Sequence, residues 1–125
     1  MLTPGPDHPI TIKPADTRWR ALFNGHVIAD SADALVLQEA DYRPVVYFPR
    51  EDVAMEYMGR TDHATHCPYK GDASHFTIDV LGKCAENAAW SYEQPYPAMR
   101  EIAGHLAFSP KRVDKIEVLP LPAPS

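Results

Sequence analysis

The sequence is short of cysteine: Cys67 and Cys84 are the only two, too few for a multi-bridge disulfide framework and in keeping with a reducing, cytoplasmic setting. The two could still pair with each other. There is no excess of positive charge; the formal net charge is -5, which argues against non-specific binding to nucleic acid or to an anionic membrane. Long apolar runs are missing too, so no stretch suits a bilayer-spanning helix. The opening "MLTPGPDHPI" has neither the basic nor the apolar region of a secretory signal. Neither G-x-G-x-x-G nor a P-loop occurs, and "KGDAS" (70–74) lacks the glycine spacing and following Lys-Ser/Thr pair of a phosphate cradle.

Proline, by contrast, is plentiful. Thirteen prolines are spread along 125 residues, which disfavours long helices and suits short strands joined by tight loops. Hydrophobic residues make up 45%, enough for one globular core at this length. "TIKPADTRWRALFNGHVIADS" (11–31) predicts a hairpin: Trp19, Ala21 and Phe23 alternate with Arg18, Arg20 and Leu22, and Asn24-Gly25 signals a type I′ turn. "ALVLQEA" (34–40) and "PVVYFP" (44–49) read as two more strands. "REDVAMEYM" (50–58) predicts one or two helical turns with Glu51 and Asp52 near the positive end of the dipole. "SHFTIDVL" alternates, with Phe76, Ile78 and Val80 opposite His75, Thr77 and Asp79. A short helix follows Pro97 and ends near Gly104. "HLAFS" and "DKIEVLP" supply the last strands. The expected fold is mainly β: one compact domain over residues 10–118, barrel-like or two packed sheets, with one or two short helices. Residues 1–9 are expected to be flexible and 119–125 to form a proline-rich tail.

Polar chemistry gathers in "THCPYKGDASHF" (65–76). Cys67 is the candidate nucleophile, with Lys70 or a histidine to stabilise its thiolate, against the common fate of free cysteine as a small core residue. His63, His66, Cys67 and His75 have the right atoms for a metal, but two distant cysteines do not make a zinc quartet, and no metal or cofactor is expected. Adjacent strand residues point to opposite faces, so His66 need not meet Cys67. In "YFPRED" (47–52), Arg50 projects from a fixed position after Pro49. With Arg43 it could clamp a carboxylate or phosphate. Asp52 and Glu51 are candidate bases that fit equally well as dipole-complementing surface acids. In "AWSYEQPYP" (89–97), Trp90 and Tyr92 share a strand face; Trp90 suits the core, whereas Tyr92 and Tyr96 suit a pocket mouth.

Taken together, "YFPREDV", the block Thr65-His66-Cys67-Pro68-Tyr69-Lys70-Gly71, "AWSYEQPYP" and "IAGHLAF" resemble the uncharacterised proteins of domain-of-unknown-function family 427, over residues 10–118. The resemblance implies a small, mainly β domain with no established activity. Tyr47, Pro49, Arg50, Asp52, Thr65, Cys67, Pro68, Tyr69, Lys70, Gly71, Trp90 and Tyr92 fall on family motif positions. His75 departs, because the family more often has an aromatic such as tyrosine there. A nucleotidyltransferase label sometimes attached to the family implies a Gly-Ser pair followed by metal-binding carboxylates, and the chain contains no Gly-Ser.

Three functions from different classes are compatible with these residues. The first is a module binding a small anionic or planar ligand among Tyr47, Arg50, Tyr69, Lys70, Trp90 and Tyr92. The second is an enzyme using Cys67 as nucleophile with Lys70 or Asp52 in support. The third is an interaction protein using a strand edge or the "LPLPAPS" tail, with a homo-oligomer among the possible assemblies. A structure in which Arg50, Cys67, Lys70 and Trp90 diverge would remove the first two.

Overall fold

A computed structural model describes residues 1–120 of the chain; residues 121–125 of the expected proline-rich tail lie outside the described residues. Among the described residues the chain forms ten strands. They are β1 (Ile10–Pro14), β2 (Arg18–Phe23), β3 (His26–Ser31), β4 (Leu35–Glu39), β5 (Val45–Tyr47), β6 (Met58–Cys67), β7 (Gly71–Val80), β8 (Lys83–Ser91), β9 (Ala107–Phe108) and β10 (Lys115–Leu119). Three short 3-10 helices cover Arg50–Asp52, Met55–Tyr57 and Pro97–Ile102. None of these helices is long and apolar enough to cross a membrane.

The strands form three antiparallel sheets in the orders β1-β4-β5, β10-β2-β3 and β6-β7-β8-β9. The domain is mainly β and compact, but it is neither a closed barrel nor a pair of sheets. The physical reason lies in the four-stranded sheet, which buries both faces and so needs a partner sheet on each. Phe76, Ile78, Val80 and Ala89 pack with Phe23, Ile28, Phe48 and Phe108 in one cluster. Ala73, Tyr92 and Ala107 pack with Leu37, Tyr47, Met99 and Ile102 in the other. Tyr47 and Phe48 are adjacent in sequence yet belong to different clusters, because successive side chains along extended backbone point to opposite sides.

The β2–β3 hairpin forms as its sequence predicts. Asn24 and Gly25 adopt φ of 51° and 73°, the positive values that a type I′ turn requires of both central residues. A bulge between Ala21 and Leu22 shifts the register so that Phe23 lies opposite His26. The 50–58 segment divides into two single 3-10 turns separated by Val53, which bridges to Ala29.

Strand β6 is the one long element that the sequence reading does not anticipate. Residues 58–67 are polar on both sides and mostly exposed, so they carry no apolar alternation to mark a strand. Tertiary pairing makes them one: β6 is an edge strand held only by β7, from Met58↔Ile78 to Cys67↔Gly71, with an irregularity between Arg60 and Ala64. Charged side chains and the irregularity blunt an edge that would otherwise invite further pairing. The Cys-Pro-Tyr-Lys-Gly motif is therefore the tight turn of a β6–β7 hairpin.

Candidate functional site

That turn is fixed from two directions. The backbone N–H of Leu2 donates to the carbonyl of Pro68 at 2.7 Å, and Tyr96 N–H donates to the carbonyl of Lys70 at 3.0 Å. Gly71 has φ of +106°, and a Cβ there would meet the backbone of Tyr96 and Pro95 at 3.5 and 3.6 Å. Those distances are ordinary van der Waals contact, so it is the dihedral that calls for glycine. The His8 ring stacks on Tyr69, with centroids 4.1 Å apart and planes 10° from parallel. Residues within 1–9 thus touch the motif directly.

Lys70 points inward and is only 8% exposed. Its ammonium donates to Glu39 Oε1 at 2.6 Å, and Glu39 Oε2 lies 2.8 Å from His8 Nε2. The ammonium also sits 5.8 Å from the centroid of the Tyr92 ring, within cation–π range. Burial by itself would lower the Lys70 pKa, but the hydrogen bond to Glu39 and the nearby acidic groups outweigh it and leave it raised. Burial likewise pushes Glu39 up, and the hydrogen bonds from Lys70 and His8 reverse this, so its carboxyl is held below the ordinary value. Lys70 is therefore an ammonium near neutrality, a hydrogen-bond donor and cation. A lysine acting as base or nucleophile needs the opposite shift.

Beside this pair lies a recess of ≈ 210 Å³ lined by Tyr47, Thr65, Lys70, His75, Trp90 and Tyr92, with Val45 at its edge. Strand alternation accounts for the set. Thr65 pairs with Ala73 and His75 with Trp90, so residues 65, 73, 75, 90 and 92 share one face of the sheet, and β5 supplies Tyr47 from across the core. The Trp90 indole N–H donates a long 3.4 Å hydrogen bond to the Tyr47 hydroxyl. Burial raises the pKa of both phenols: at Tyr47 it outweighs the Trp90 hydrogen bond, and at Tyr92 the neighbouring Tyr47 adds to it. Both remain neutral hydroxyls. Nδ1 of His75 is buried without a hydrogen-bond partner. Burial, and next His63, whose ring centroid is 4.6 Å away, lower the His75 pKa and keep the ring neutral at pH 7.

Of the six residues proposed from sequence to share a pocket, Tyr47, Lys70, Trp90 and Tyr92 come together, whereas Arg50 and Tyr69 do not line the recess. Arg50 belongs to the opposite face of the sheet. Its Nε donates to the carbonyl of Gly104 at 3.0 Å, its guanidinium pairs with Glu93 at 3.3 Å, and it lies 5.7 Å from the Phe76 centroid. The expectation that Arg50 faces the Cys-Pro-Tyr-Lys-Gly corner is thus corrected: Arg50 follows Phe48 onto the other side. Asp52 is also remote from the recess and accepts a 2.6 Å hydrogen bond from Ser31. Cys67 packs against the Tyr47–Tyr92 cluster, partly buried, and both cysteines are free thiols. His66 turns away from Cys67 to Asp72, 2.7 Å off. Among the described residues no group of three or more His, Cys, Asp or Glu side chains could hold a metal ion. Sequence reading missed the partners of Lys70: Glu39, the one charged residue of strand β4, was the available signal, while His8 had none.

A family model described as a domain of unknown function (DUF427) matches residues 11–119. The chain belongs to that family. Its match takes in every residue lining the recess and both members of the Lys70–Glu39 pair, and only His8 of the surrounding network falls outside it. No curated protein matches this DUF427 chain.

Proposed function

We propose that this chain is a binding module for a small planar ligand, held in the recess between Tyr47, Trp90 and Tyr92. The observation that carries the reading is the convergence, from four strands and one turn, of three aromatic side chains with Thr65, Lys70 and His75 on one hollow. Aromatic walls with a few fixed polar groups are the usual make-up of a small-molecule site. A volume of ≈ 210 Å³ is below the drug-sized range and matches about seven waters' worth of liquid, which suits a single ring.

The pocket expected from sequence, with Arg50 among its walls, is not formed; what is proposed is the narrower recess without Arg50, and of the two ligand chemistries planar is favoured over anionic. Arg50 is engaged elsewhere, and the Lys70 charge is already compensated by Glu39. Lys70 still has ammonium protons beyond the one given to Glu39, and these suit a carbonyl or ring-nitrogen acceptor. The test is calorimetric titration and thermal shift with single-ring heteroaromatics: uracil, nicotinamide and imidazole. At least one should bind saturably and lose at least tenfold in affinity in Tyr92→Leu, with a smaller loss in Thr65→Val. If none stabilises the wild type more than it stabilises Tyr92→Leu, the reading is wrong.

A further inference from the structure

A second hollow lies on the other side of Trp90, at the junction of all three sheets, and its make-up is different. It measures ≈ 640 Å³, inside the range of sites that enclose drug-sized ligands. Trp19 and Ile116 come from the β10-β2-β3 sheet, Val46 from β5, and Trp90 and Phe108 from the four-stranded sheet. Trp19, Val46, Trp90 and Ile116 are each only partly buried, so apolar surface is left concave and open to water. A contiguous apolar hollow of this kind on a folded chain marks a binding surface more often than incomplete packing.

One charged residue lines it, Arg43, and no carboxylate does. Arg18, Arg20, Arg50 and Arg60 each pair with an acidic side chain. Arg43, like the exposed Arg100 and Arg112, makes no ion pair or side-chain hydrogen bond among the described residues, but of these three only Arg43 lines the hollow. In a chain of net charge -5, a lone unpaired guanidinium beside apolar walls selects an occupant with one negative group and an apolar body. A single guanidinium matches the single charge and two oxygens of a carboxylate; a phosphate monoester would bring nearly twice the charge.

We propose that this cleft binds an amphipathic carboxylate of the fatty-acid class, its head on Arg43 and its alkyl chain along Trp19, Val46 and Trp90. The cleft shares Val45 and Trp90 with the recess of Tyr92 and Lys70, whereas Arg43 lines the cleft alone, so the Arg43 variant tells the two sites apart.

The protein carries its own reporter, since its two tryptophans both line the cleft. Octanoate, decanoate and decanol are titrated into the full-length chain while tryptophan emission is followed. Decanoate should give a saturable change and bind roughly fifteenfold tighter than octanoate, about fourfold for each of two methylenes at ~0.8 kcal/mol per CH₂. Arg43→Gln, at an exposed position without partners, should weaken decanoate at least tenfold and leave decanol unchanged. Val46→Glu, which puts a negative charge on the apolar wall, should weaken both decanol and decanoate, and decanoate more because the two carboxylates repel. Equal affinity for octanoate and decanoate, or an Arg43→Gln protein that binds decanoate as the wild type does, overturns the proposal. So does the absence of any saturable change, the result if a second copy already fills the cleft.

Discussion

Lys70 and Glu39 meet at 2.6 Å with their side chains only 10% and 14% exposed, tying the β6–β7 turn to the end of β4. A turn motif and a strand from a different sheet are thus joined by a buried charge pair. The recess wall depends on that link, because Lys70 is both a lining residue and half of the pair.

Breaking the pair from one side should be costly. Lys70→Met leaves Glu39 buried with only His8 for compensation, and should destabilise the domain by on the order of 3 kcal/mol. Adding Glu39→Leu removes the stranded charge and should restore most of that loss. Urea unfolding of the two single variants and the double variant measures it as a double-mutant cycle. Additive effects would show that the two residues are not coupled.

The same pair sets a pH window. Glu39 is held below its ordinary 4.5, so its contribution is present above that value and fades as pH falls through the lower folded-state value. Lys70 is raised above 10.5, so its contribution is present below that value and fades as pH rises through the higher one. Melting temperature should fall at both extremes. Lys70→Met/Glu39→Leu should flatten both limbs relative to the wild type.

His75 acts in a separate range and with a single slope. Its pKa is lowered from 6.5, so the unfolded chain takes up the proton first and stability rises with pH up to about 6.5. His75→Phe, which puts an aromatic carbon ring in the same place, should remove that slope while keeping the fold. Thermal melts of wild type and variant between pH 5 and pH 7.5 would detect it; parallel curves would assign the slope to another group.

Gly71 should resist substitution. At φ of +106° an L side chain is strained, and Gly71→Ala should cost roughly 1–3 kcal/mol. The added methyl would meet Pro95 and Tyr96 only in ordinary van der Waals contact, so the cost is that of the backbone conformation. Asp72→Ala, next along the strand and exposed, should change stability by less than about 0.5 kcal/mol and serves as the control in chemical denaturation.

Arg50→Ala separates the two faces of the sheet. The Arg50 guanidinium is partly exposed and pairs with Glu93, which Arg60 also contacts at 2.8 Å. Losing that pair should cost no more than about 1 kcal/mol, and losing the hydrogen bond to the Gly104 carbonyl about 1 kcal/mol more. Ligand binding in the recess should be unchanged, since Arg50 does not line it. A large loss of binding in Arg50→Ala would mean that the ligand sits on the Arg50 face.

Much of the fold was open to reading because local rules specify it. Asn-Gly between alternating residues makes a hairpin wherever the rest of the chain goes, and Phe76, Ile78 and Val80 alternate because one face of β7 is apolar. Strand β6 carried no such mark: as an exposed edge it needs no apolar periodicity, and it exists because β7 lies beside it. The count of sheets was hidden for a related reason. His75 and Thr77 make the second face of β7 look solvated, yet that face is covered near Ala73 by residues from β4 and β5.

The site divides along the same line. By itself the sequence determined which residue types are available, that Trp90 and Tyr92 share a face, and that His66 and Cys67 do not, since all of this follows from the two-residue repeat of extended backbone. Tertiary structure alone decided which of those faces meet. Tyr47 was carried to Trp90, Arg50 to the opposite side, and Glu39 and His8 to Lys70, because the pairing of strands from three sheets, with two separate cores between them, sets those distances and no local spacing encodes it.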